Sequence, residues 1–309
     1  MAATTTGMIA APRRRRLGTA VLPYVLSLPA LIVCIGILVP FATAAWYSLQ
    51  RYNLNLPQLR AFIWFDQYLQ LFQSGAFWNT VKVSLLYTFF TVGVELLLGL
   101  GIALLLRRST WLNNALSIAL LLPLMVAPAI ASLMWKLMTH PDFGILSYLV
   151  SLVGVTDFRW ASSPSTALFT VILVDVWVYT PFIMILLLAG LRGLPRQPFE
   201  AAELDGVPAT FVFFKITLPM LMPYILTASL FRMLDSIQQF DIVYAMTQGG
   251  PGDATLVFQV QAYLDFFKNF NVGRSAALLM ILWLIANVLS NVFIKQWLKL
   301  RERAHGGAV

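Results

Sequence analysis

The chain carries the stretch Glu200-Ala201-Ala202-Glu203-Leu204-Asp205-Gly206-Val207-Pro208-Ala209-Thr210-Phe211-Val212-Phe213-Phe214-Lys215-Ile216-Thr217-Leu218-Pro219, with Pro223 a few residues on. Local rules read it as a helical elbow. Pro198 and Glu200 suit a helix start, where a missing N–H costs nothing and an acid complements the positive end of the dipole. Residues 200–204 are good helix formers. Gly206 fits a stop in the left-handed conformation. Pro208 can open a second short helix at its first position, one carrying Phe211, Phe213, Phe214 and Ile216. Pro219 and Pro223 are expected to kink the apolar segment that follows. By these rules alone the stretch is either such an elbow or an ordinary amphipathic loop at a membrane surface.

The surroundings make a membrane certain. Of 309 residues, 59% are hydrophobic and 11% charged, against about 25% charged in soluble domains. A helix needs about 20 apolar residues to cross the hydrocarbon core. Six segments qualify, at about 21–47, 81–106, 115–137, 166–188, 218–240 and 276–298. The first has a basic flank at Arg13, Arg14, Arg15 and Arg16. Its apolar run is longer than a signal-peptide core, so it reads as a retained span. With both termini on the cytoplasmic side, that side receives 13 Lys and Arg, the outside receives 7, and Arg232 stays within the membrane. This bias orients the chain N-in and C-in. The quoted stretch then lies in a cytoplasmic loop at about 190–217. The expected organisation is a tail at 1–20, a membrane domain at 21–298 and a tail at 299–309, with 1–12 and 304–309 disordered. An outer connection at 50–80 holds Trp64, Phe65, Tyr68 and Trp78, rings suited to a membrane interface or an external partner.

Other chemistries are poorly served. The net charge of +8 lies beside apolar segments, which points to anionic lipid head groups and not to nucleic acid. One cysteine, Cys34, and two distant histidines, His140 and His305, offer no zinc-ligand spacing. No phosphate-binding Gly-x-x-x-x-Gly-Lys-Ser/Thr occurs, nor even a Gly-Lys pair, and no metalloprotease or nucleophile-elbow motif. The chain is not expected to be an enzyme or to hold a metal or cofactor.

The quoted stretch resembles the EAA signature of permease subunits in binding-protein-dependent ABC importers. Glu200, Ala201, Ala202, Asp205, Gly206, Phe213, Ile216, Leu218, Pro219 and Pro223 match at the family spacing, ten positions over 24 residues; Val207 departs where the family usually has alanine. The resemblance implies an all-α, type I importer permease with six spans in a bacterial-type inner membrane. It implies that Glu200, Ala201, Ala202, Asp205, Gly206 and Phe213 form a coupling helix that docks on an ATPase. It also implies the partners: a second homologous permease, two P-loop ATPase subunits that bind the ATP and magnesium, and an extracytoplasmic solute-binding protein. The segment Thr247-Gln248-Gly249-Gly250-Pro251 is similar to one in the carbohydrate-uptake branch, in maltose and glycerol-phosphate permease relatives. The implied solute is a sugar, polyol or glycerol-phosphate-like molecule.

Ionisable residues within spans are costly and mark interiors or water-filled paths. Here they are Glu95, Asp175, Arg232 and Asp235. Arg232, Asp235, Ser236 and Gln239 fall at i, i+3, i+4 and i+7, along one helix face. Together with Asp175, Phe240 and Tyr244 they are candidates for a solute path, as this part of the fifth helix is in the carbohydrate-uptake relatives. Arg232 could equally pair with Asp235, Glu95 or Asp175 and only hold helices together. Two other functions stand beside the importer: an ion-coupled secondary transporter using Glu95 and Asp175, for which no internal repeat speaks, and a non-transporting scaffold, which needs no polar stripe.

Overall fold

The computed structural model describes residues 17–155 and 158–306. Residues up to Trp46 form one unit and those from Tyr47 onward a second. The first is the apolar helix α1 (Leu17–Ser48), of which Tyr47 and Ser48 belong to the second unit. The expected tail at 1–12 lies outside the described residues.

The second unit starts with an antiparallel ribbon of β1 (Gln50–Arg51) and β2 (Ala61–Phe62), an addition to the all-α expectation. Arg60 donates to Gln50 Oε1 at 2.9 Å and lies over the Tyr52 ring at 4.3 Å. Helix α2 (Asp66–Gln73) leads into α3 (Gly75–Leu105). Next come α4 (Trp111–Leu120), α5 (Leu122–Met125), α6 (Pro128–Met138), α7 (Ile145–Leu152) and α8 (Pro164–Arg192). The elbow follows as α9 (Gln197–Leu204) and α10 (Ala209–Phe211), a π-helical segment at Val212–Thr217, and α11 (Leu218–Ile237). The chain ends with α12 (Asp241–Thr247), α13 (Phe258–Phe267) and α14 (Val272–Gly306).

Among the described residues, five helices are long and apolar enough to cross a membrane: Leu26–Ser48, Gly75–Leu105, Pro164–Arg192, Ala209–Ile237 and Val272–Lys299. Without water in the hydrocarbon, their backbone N–H and C=O groups are satisfied only within the helix. The third expected span, 115–137, is not straight. It is the pair Trp111–Met125 and Pro128–Met138, bent by 91°. The reason is Pro123 and Pro128, which withhold donors on either side of the break, so the chain turns at Val126 and Ala127. The fifth span also differs. It runs unbroken from Ala209 to Ile237 and stops before Gln239 and Phe240. At the other end, residues 304–306 continue α14 and are not a disordered tail.

Close packing holds α3, α8 and α11 together. A Cβ on Gly99 would lie 2.8 Å from Ile183 Cγ2 and 3.1 Å from the Met184 backbone nitrogen. One on Gly190 would lie 2.7 Å from the Tyr224 ring. Lipid tails are as apolar as leucine, so helices associate through such close approach and not through burial from water. Val171, Val174 and Val178 of α8 form a core with Val83 and Tyr87 of α3 and Ile242, Val243 and Met246 of α12. The turn after α12 is self-closing. Thr255 Oγ1 donates to Gly250 O at 2.8 Å, and its N–H to Gly249 O at 3.1 Å. Gly249 has φ +92°, and a Cβ there would meet Leu256 Cδ1 at 2.8 Å.

Gly99→Val should therefore force α3 away from α8, at a cost of about 1–3 kcal/mol typical of overpacking. A lowered thermal midpoint of the detergent-solubilised protein reads this out. Gly101→Val, where an added Cβ meets nothing within 4 Å, should leave it unchanged.

Candidate functional site

Two places stand out, at opposite ends of one helix. The first is the elbow. Helix α9 closes through Gly206 at φ +64°. Gly206 N–H donates to Glu203 O at 3.2 Å and Val207 N–H to Ala202 O at 3.1 Å, the paired bonds of a glycine-terminated helix end. Glu200, Ala201, Asp205 and Gly206 are exposed, Ala202 is buried and Phe213 is half-buried. The most exposed apolar side chain here is Leu204, 89% accessible at the tip of the elbow. Sequence reasoning passed over it as a mere helix former, and its position next to the turn was the available signal.

Pro208 is the cap of α10, one position ahead of its expected first helical place. Pro219 and Pro223 do not interrupt the helix. The π-helical turn at Val212–Thr217 precedes Pro219, and Thr217 Oγ1 bonds back to Val212 O at 3.2 Å. Thr227 Oγ1 bonds to Pro223 O at 2.8 Å, satisfying part of what the proline leaves open. Beside α9 a cavity of about 660 Å³ is lined by Arg107, Arg108, Arg192 and Arg196 together with Glu200 and Glu203. Arg192 Nη2 reaches both Leu106 O and Asn114 Oδ1 at 3.0 Å, tying the end of α8 to the α3–α4 turn.

The second place is a charge cage around Arg232. Its Nε donates to Glu95 Oε2 at 2.7 Å and its Nη2 to Glu95 Oε1 at 2.8 Å, a bidentate fork. Nη2 also reaches Asp175 Oδ2 at 3.0 Å, and Nη1 donates to Asp235. Tyr179 lies beneath the guanidinium with its ring centre 4.0 Å from Cζ. The sequence left three pairings open for Arg232, and the structure makes all three at once. Arg232 is 1% exposed, Glu95 and Asp175 are fully buried, and the Asp235 side chain is 55% exposed.

The other members of the polar stripe face inward. Ser236 Oγ lies 2.9 Å from Thr91 Oγ1, both buried. Gln239 Nε2 donates to Asp175 Oδ1 at 3.4 Å, while its Oε1 accepts the Phe240 N–H at 3.0 Å. Gln239 and Phe240 lie in the break between α11 and α12 and not on a continuing helix. Phe240 and Tyr244 stack on each other at 5.0 Å, and both meet Tyr263 of α13. Neither Thr91 nor Tyr263 was foreseen, because both come from distant sequence. Among the described residues no group of three metal-ligating side chains occurs.

Removing the central cation strands three carboxylates. Arg232→Met should destabilise the protein by about 3–5 kcal/mol, the usual cost of breaking a buried ion pair. Arg232→Lys should recover part of this only, because an ammonium cannot bridge Glu95 side-on. Thermal midpoints of the two variants against wild type measure the difference.

Comparison with known proteins agrees with this architecture. Residues 95–303 match the family described as the binding-protein-dependent transport system inner membrane component. The chain is 32% identical over 277 residues to the trehalose/maltose transport system permease protein MalF of Thermococcus litoralis, covering 89% of this chain and 93% of that one. It is 30% identical over 270 residues to the sn-glycerol-3-phosphate transport system permease protein UgpA of Pectobacterium atrosepticum, covering 85% and 90%. Its fold is that of a chain from a bacterial ABC transporter involved in the import of the acidic polysaccharide alginate, with a TM-score of 0.79 at 19% identity over 92% of this chain and 99% of that one. The chain belongs to the inner-membrane components of binding-protein-dependent transport systems.

Proposed function

We propose that this chain is a permease subunit of an ATP-driven importer, forming with a second, similar permease the path for a sugar, polyol or glycerol-phosphate-like solute. The names of its relatives support the carbohydrate class: trehalose and maltose for one, sn-glycerol 3-phosphate for another. They give no support to an ion-coupled secondary transporter. Two P-loop ATPase subunits supply the energy and hold ATP and magnesium. An extracytoplasmic solute-binding protein delivers the cargo.

The observation that carries this reading is the unbroken helix from the elbow to the cage. Ala209–Ile237 is continuous, with Arg232 and Asp235 near its far end. From Ala209 to Arg232 the rise is about 35 Å, at 1.5 Å per residue. A push delivered at α9 on the cytoplasmic side is thus transmitted along one rigid element to the far part of the span. Glu200, Asp205 and the small Ala201 present the docking face, Leu204 is the apolar tip that enters a groove, and Ala202 and Phe213 brace the elbow from within. Gly206 sets the angle between the arms. On the path side, Asp235 is the open member of the stripe. Arg232, Asp175, Ser236 and Gln239 fix its position from behind, with Phe240 and Tyr244 packed beyond them.

The test is transport by the reconstituted complex. Uptake of trehalose should require ATP and the binding protein and should survive a protonophore; collapse with the protonophore while ATP remains would sink the importer reading. Failure of the chain to co-purify with a P-loop ATPase would remove the docking role. Gly206→Val places a side chain in a left-handed position, at about 1–2 kcal/mol. It should cut coupled uptake at least about fivefold, the rate equivalent of that energy, while the six-span fold survives. Leu204→Asp should weaken ATPase co-purification.

A further inference from the structure

The cage leaves nothing cationic for a solute. Arginine carries five N–H donors. Four of those of Arg232 are directed at Glu95 twice, at Asp175 and at Asp235. Its face is covered by Tyr179, and it is 1% exposed. An anionic solute would have to displace a carboxylate from a bidentate, buried fork to reach it. The other described basic residues of the spans, Lys82, Lys136, Arg192, Lys215, Arg274, Lys295 and Lys299, lie toward helix ends.

What remains open has the opposite sign. Three carboxyl groups share one guanidinium, so this layer holds no cation beyond the one already enclosed. The carboxylate most open to the surroundings is Asp235, whose Oδ2 is held by Arg232 while the side chain stays 55% exposed. A carboxylate held on one oxygen is a fixed hydrogen-bond acceptor. It suits a hydroxyl, and it repels a phosphate or carboxylate across a low-dielectric wall. Exposed Phe231, one turn before Asp235, adds an apolar face beside it.

We propose that this cage makes the permease selective for uncharged, polyhydroxylated solutes, with the Asp235 carboxylate accepting a solute hydroxyl and the enclosure of Arg232 leaving an anionic solute no cation to pair with. The inference rests on reading the open face of α11 as the solute path. It divides the named relatives, aligning this chain with the transporters of neutral sugars and against those of phosphate esters, although both match it over most of its length.

Binding to the purified complex of this chain with its partner permease and ATPases, in nanodiscs and without the solute-binding protein, separates the outcomes. The probes are two matched pairs: trehalose with trehalose 6-phosphate, and glycerol with sn-glycerol 3-phosphate. The neutral member of at least one pair should bind, and its phosphate ester should bind at least about tenfold more weakly, as expected for like charges meeting at effective dielectric near 20. Asp235→Asn should narrow that ratio at least about threefold, by removing the exposed carboxylate that repels the ester. It leaves Arg232 bound to Glu95 and Asp175, so the cage persists. Equal or tighter binding of an ester to the wild type overturns the charge inference alone, as does an unchanged ratio in Asp235→Asn. The wild-type ratio decides by itself should the variant fail to assemble. Binding of no probe removes the hydroxylated-solute reading of the path, and the inference falls with it.

Discussion

A single guanidinium in hydrocarbon governs this structure. Arg232 joins α3 through Glu95, α8 through Asp175 and its own helix through Asp235. Burying Arg232 together with two acids is expensive, and only multiple short hydrogen bonds offset it. The three helices must therefore stay in register, because a shift of one turn would strand at least one carboxylate. The small residues on the same helices permit that register. Gly99 lets α8 approach α3, and Gly190 lets the Tyr224 ring of α11 lie against α8. Apolar packing alone could slide; the cage supplies the address.

Around this fixed point the bundle sorts its polar groups by reach. Ser236 and Thr91 satisfy each other in the same layer, and Gln239 extends the network from beyond the helix end. The Thr247–Thr255 turn closes through its own hydroxyls, and Asn79 at the start of α3 donates to Asp253 O at 3.0 Å, which ties that turn back to the bundle. A polar group in lipid has no water to fall back on, so these groups find their partners within the chain.

Much of this was legible from composition and spacing, and the failures have physical reasons. The apolar runs gave the spans because length and hydropathy are local properties. The elbow was readable because Gly206 and the surrounding acids act within one turn. The bend in the third span was hidden: a hydropathy reading runs straight through Pro123 and Pro128, though both are plain in the sequence. The stop at Ile237 was hidden because Gln238 and Gln239 are ordinary helix residues, and the contact of Gln239 with Asp175 beyond the stop is a tertiary one that no local rule shows. The cage itself could be listed as candidates but not assembled, since Glu95 and Arg232 are 137 residues apart and Asp175 and Arg232 are 57 apart.

The π-helical turn at Val212–Thr217 has one further consequence. An α-helix advances 100° of azimuth per residue, since 3.6 residues make a turn. A π turn holds an extra residue in its hydrogen-bonded ring, so it works as a phase insert between the two ends of one rod. It fixes the compass bearing of the Pro208 arm relative to Asp235, independently of how far apart they lie. Length along this helix carries force, whereas the inserted residue sets direction. Loss of one residue there would leave both ends intact and aim them about 100° apart from their present relation.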